Sequence, residues 1–166
     1  MRSVKKLCLL ALIGAMMFGA KVAMASLPNI HLNAVFLIVT AVFFGWETMG
    51  AAAVYVMLEG LVFGFGIWWI SYLYIWPLLV VVCVLLRKND SPWIWAAVAG
   101  AHGLLFGALC AIPYLFLGGW QAAAAYWVSG IPFDLAQCAG NFVLTRILYR
   151  PLKKAMAAAL RYGNRN

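Results

Sequence analysis

Charge is what this sequence has least of. Charged residues fill 10% of its 166 positions, and only four of them are acidic. Hydrophobic residues make up 67% and the mean hydropathy is +0.97. That leaves too little polar side chain to cover a water-soluble domain of this size, so most of the surface must face lipid. Paired cysteines are missing too: Cys8, Cys83, Cys110 and Cys138 stand singly inside apolar runs. This spacing excludes the close pairing of a zinc site or a disulfide framework, and the four read as small core residues. There is no GxxxxGK[ST], HExxH, GxSxG or GxGxxG, so the chain carries no ATPase, zinc-protease, hydrolase or dinucleotide signature of its own. No metal or cofactor is expected, and any driving energy must come from a partner.

What is present is a series of long apolar runs. Unpaired backbone groups are very costly in hydrocarbon, so spanning structures are helices or closed barrels, and continuous runs fit helices. The sequence therefore predicts an all-α integral membrane protein, a single compact six-helix domain over residues 1–166. Spans are expected at about 4–26, 31–44, 49–65, 72–86, 92–117 and 132–149, with a basic tail over 150–166. The first run ends in Ala23-Met24-Ala25, like a signal-peptide cleavage site. Lys21 close by, and Ala11, Ala15, Gly19 and Ala23 at steps of four, favour an uncleaved helix with a small-residue face. The 31–44 run is short for a span. The aromatic stretch from Trp68 to Trp76 reads as a membrane-interface belt. Gly118-Gly119 is expected to end the fifth helix, and Gly130-Ile131-Pro132 to separate an alanine-rich interfacial segment from the sixth.

With six spans both termini share one side, and Lys21 is the exception to a basic bias toward that side. By the positive-inside rule this side is the cytoplasm, so the chain is expected as a multi-pass protein of the cell membrane, of bacterial plasma-membrane type. A five-span, cleaved version leaves the tail cytoplasmic as well. The net charge of +8 thus lies in flanks that orient helices and argues against a nucleic-acid partner; the lipid bilayer is the expected surrounding.

The same topology sorts the polar residues by depth. Lys21, Glu59 and Asp134 come from three helices at similar outer depth, and ionisable groups in a span point to function by default. The competing reading is a structural ion pair or triad. Trp68, Trp69, Tyr72 and Trp127, with Asn29 in the outer Leu27-Pro28-Asn29 break, add flat rings and an amide. Rings beside a few polar groups suit a planar organic ligand, although a belt accounts for them individually as well. His102 reads as a hydrogen-bonded packing residue, Asn141 as an interhelical hydrogen-bonding residue, and Ala99, Gly103, Gly107 and Ala111 as a close-packing stripe.

Six short spans, Leu27-Pro28-Asn29, Leu58-Glu59-Gly60-Leu61 followed by Gly64-Phe65-Gly66-Ile67-Trp68-Trp69, and Gly130-Ile131-Pro132-Phe133-Asp134 with Asn141 resemble the S component of an energy-coupling factor (ECF) vitamin transporter. The resemblance covers nearly the whole chain. It implies a subunit that captures a vitamin or related micronutrient near the outer face and works with a transmembrane T component and two ATPase subunits. It also implies that the AxxxA coupling motif falls on Ala11 and Ala15, extended by Gly19 and Ala23, with Gly19 departing from alanine. Within the family the chain looks more like the small cobalamin-type group. A structural membrane protein without a ligand is the alternative, and an integral-membrane enzyme comes third, since the few charges form no acid, base and nucleophile set.

Overall fold

A computed structural model describes residues 3–26 and 31–163. Every regular element in it is helical: α1 (Ser3–Ala23), α2 (Asn33–Phe44), a 3-10 turn (Gly45–Glu47), α3 (Thr48–Phe63), α4 (Ile67–Leu86), α5 (Pro92–Cys110) and α6 (Ile112–Gly163). Four stretches among these residues are long and apolar enough to cross a membrane: Val4–Ala23, Asn33–Phe63, Ile67–Leu86 and Pro92–Cys110. The second contains a reversal. Gly45, at φ +59°, adopts a backbone that side chains resist, and a Cβ there would also stand 2.6 Å from the Arg87 guanidinium. α2 and α3 therefore fold back on one another, so that Asn33 and Tyr55 meet.

Side-chain pairs fix the directions of the helices. Lys6 with Glu47, Gly14 against Ala51, and Lys21 with Glu59 advance in step, which makes α1 and α3 parallel neighbours. Tyr72 beside Tyr55 and His102 beside Trp76 make α4 antiparallel to α3 and to α5. The core lies along the α1, α2, α3 and α4 contacts and includes Met17, Leu37, Ile38, Tyr55, Trp76 and Leu79.

α5 and α6 form the closest pair. A Cβ on Gly103 would lie 2.9 Å from the backbone of Gln137 and Cys138, so glycine lets the two helices touch main chain to main chain. Ala99 and Ala111 of the same stripe are buried, as the spacing predicts. Pro113 leaves the Leu109 carbonyl without its helical donor, and the Tyr74 hydroxyl supplies one at 2.6 Å.

Two expectations need correction. The chain turns at Gly118-Gly119, whose backbone is non-helical, but it does not break at Gly130-Ile131-Pro132. Residues 120–163 form one arm, about 65 Å long at ~1.5 Å per residue. Pairing with α5, shown by Gly103 against the backbone of Gln137 and Cys138 and by Asn141 Nδ2 donating to the Ala99 carbonyl at 3.4 Å, overrides the break that Pro132 suggested. The fourth helix likewise starts at Ile67 rather than at about 72, so the aromatic stretch forms its first half, and Trp76 is in the core with 1% exposure rather than on a belt.

Candidate functional site

One polar part of the interior is built by three helices that each present two residues one turn apart. α3 contributes Tyr55 and Glu59, α4 contributes Tyr72 and Trp76, and α5 contributes His102 and Phe106. Residues four apart share a helix face, so each helix turns a matched pair inward. Trp76 is the hub. Its ring lies edge-on to Tyr55 at 5.3 Å and to Tyr72 at 5.8 Å, and contacts His102 at 5.5 Å and Phe106 at 5.9 Å. α2 closes one side with Asn33, and His31 just ahead of it sits 6.2 Å from Trp76.

Glu59 sits in this wall with its side chain fully buried, and one carboxylate oxygen accepts from the Lys21 ammonium. That ammonium also lies over the Phe63 ring at 5.2 Å and the Tyr72 ring at 5.6 Å. The other oxygen, Oε1, has no hydrogen-bond partner among the described residues. The same is true of Asn33 Nδ2 and Oδ1, the Tyr55 hydroxyl, Trp76 Nε1, and Nδ1 of His31 and of His102. Native interiors leave few such groups unpaired, and a concentration of them around aromatic walls is what a polar ligand's donors and acceptors would complete.

Among the described residues, the ion pairs include no contact of Asp134 with Lys21, so the three expected charges divide into a pair and a separate carboxylate. Asp134 Oδ1 accepts from the Gly107 backbone N–H at 2.9 Å, on the α5 and α6 side. Trp69 is committed elsewhere as well. Its indole N–H donates to the Val56 carbonyl at 2.8 Å, across Gly60, where a Cβ would collide with the ring. Trp68 stands at the rim, edge-on to Tyr72 at 5.2 Å. Trp127 is half-exposed on an outer groove with Trp120, Ile112 and Leu115, away from Glu59. Asn29 lies outside the described residues. His102 is a packing residue whose Nε2 meets the Ile75 carbonyl at 3.3 Å.

Sequence reasoning missed Asn33, Tyr55 and Trp76. The signal was present: Tyr55 sits one turn before Glu59, on the face that any partner of the carboxylate must share.

On α1 the buried residues are Leu10, Ile13, Gly14 and Met17, which face α3, whereas Ala15, Gly19 and Ala23 are exposed away from it and Ala11 is exposed at the edge, in a groove shared with Gly50 and Val54 of α3. The opposite end of the bundle is basic. Lys6 pairs with Glu47 at 2.8 Å, Asp90 with Lys153, and Arg146 lies over Trp93 at 4.3 Å. Comparison with known protein families, curated proteins and solved structures finds no match for this chain.

Proposed function

We propose that this chain is the substrate-binding membrane subunit of an ECF-type importer. In this reading it crosses the membrane six times with both ends in the cytoplasm, captures a vitamin or related micronutrient near the outer face, and hands it on with a T component and two ATPase subunits. Any ATP hydrolysis belongs to the partners, and the chain itself is no enzyme. The observation that carries the proposal is the buried cluster around Glu59, in which aromatic walls surround polar groups, Asn33, Tyr55 and Glu59 among them, that the described residues satisfy only in part. Two further features fit. The basic residues gather at the end opposite Lys21 and Glu59, as a cytoplasmic end requires. The α1 stripe of Ala11, Ala15, Gly19 and Ala23 faces outward, free to meet another helix. Cobalamin stays a candidate through the resemblance.

The test is native mass spectrometry of the full chain extracted from membranes. A small molecule should copurify with the wild type and be lost from Glu59→Gln. A clean apo mass at every detergent condition, with Glu59→Gln merely less stable, would favour the alternative in which Lys21 and Glu59 are a structural pair in an assembly protein.

A further inference from the structure

The way Lys21 is held suggests what the ligand is. Its ammonium is gripped by a carboxylate and two ring faces, those of Glu59, Phe63 and Tyr72. This is the combination that recognises an organic cation, because ring quadrupoles and a carboxylate both favour positive charge and both gain strength away from water. The two partners are unequally anchored. Glu59 is fully buried, near the end of α3, whereas the Lys21 side chain is 26% exposed and belongs to the last turn of α1. A long lysine stem can carry its charge to water by rotating, and a buried carboxylate cannot. The path from the surface to Glu59 therefore runs through the place that the Lys21 ammonium occupies. Behind it, the Tyr55 hydroxyl lies between Glu59 and Asn33, whose carboxylate and amide oxygens keep acceptor capacity for an N–H, and Trp76 and Tyr72 offer ring faces and edges.

We infer that Lys21 is a stand-in for the substrate's own positive charge: the ligand is a flat, cationic nitrogen compound, an amidine or protonated heterocycle, that displaces the Lys21 ammonium from the cage and pairs with Glu59. The inference rests on the transport reading and narrows it to a substrate class. It also gives Lys21 a purpose, since a resident cation keeps Glu59 from being stranded in a low-dielectric interior while the site is empty.

Benzamidinium, benzamide and benzoate share one ring and differ in charge, so they isolate the contribution of the cation. Their binding to the purified full chain in detergent is measured by calorimetry and by thermal stabilisation. Wild type should prefer benzamidinium over the other two by roughly tenfold, the size of one charge-assisted hydrogen bond. Lys21→Ala should bind benzamidinium more tightly and gain more in Tm on adding it, because the competitor has gone. Lys21→Arg keeps a cation in the cage and a closer fit to the carboxylate, and should bind it more weakly. Glu59→Gln should lose the preference. If Lys21→Ala does not fold, the wild-type series and Lys21→Arg decide. A preference for benzoate, equal binding of all three, binding of none, or weaker binding by Lys21→Ala overturns the inference. A copurifying molecule that is anionic or neutral sinks the cation assignment and leaves the transport reading standing. With no copurifying molecule and no probe bound, both fall.

Discussion

At the residue scale, the two buried carboxylates separate by what holds them. Glu59 has one oxygen on Lys21 and one unpaired in the aromatic cluster. Replacing it with glutamine keeps the shape and removes the charge, so ligand affinity should fall by about 1–3 kcal/mol while the bundle survives. Asp134 instead accepts from Gly107 at the α5 and α6 contact, with its second oxygen unpaired. Asp134→Asn retains an acceptor for that N–H and removes a buried charge, so affinity should hold and Tm should not drop. Calorimetry and melting on the same preparations check both, and weaker binding by Asp134→Asn would return that residue to the site. Sequence alone could place both charges at similar depth, because span order fixes depth. It could not say that Lys21 reaches one and not the other, since azimuth around the bundle depends on packing that no single helix encodes.

At the element scale, the long arm of α6 is held at two places by different means, and each makes a prediction. Midway along it, Gly103 allows main-chain contact with Gln137 and Cys138. Gly103→Leu inserts a side chain where a Cβ alone would lie at 2.9 Å, and should cost about 1–3 kcal/mol by overpacking, seen as a lower Tm in detergent. At the basic end, Asp90 in the turn between α4 and α5 accepts from Lys153 and from the Tyr149 hydroxyl at 3.1 Å. The hydrogen bond from Lys153 holds its carboxyl below the usual range. A depressed carboxylate contributes above its unfolded value near ~3.9 and is lost as pH falls through its folded value, so the tether should persist at neutral pH and loosen below about pH 4. Hydrogen exchange over residues 150–163 should rise in that window, and at pH 7 in Asp90→Asn. The helices themselves were largely legible because each is a continuous apolar run, and Pro92 starts α5 as expected. The Gly130-Ile131-Pro132 break was misread because a local breaker was weighed without the neighbouring helix that keeps the arm straight. Trp76 was misassigned because a run of aromatics looks the same from sequence whether it faces an interface or a core.

At the scale of the whole molecule, α1 has two faces that differ in what they meet. Gly14 faces inward, where a Cβ would lie 2.6 Å from the Ala51 carbonyl oxygen, so the α1 and α3 contact within the chain depends on it. Ala15, one residue on, is exposed along with Ala11, Gly19 and Ala23, and a Cβ on Gly19 would meet nothing within 4 Å. In lipid there is no hydrophobic force between helices, so a smooth, small-residue face gains by letting a second backbone come close. If that face meets a T component, Ala15→Leu should prevent capture of the partner in a pull-down from co-expressing membranes while Tm and ligand affinity stay at wild-type values. Gly14→Leu is the matched contrast, since it strikes the internal contact and should lower Tm first, with ligand binding and capture falling as a consequence. Equal capture by wild type and Ala15→Leu would remove the coupling role from the stripe and leave it as a lipid-facing surface. A parallel loss of Tm in Ala15→Leu would mean instead that the outward face supports the bundle itself.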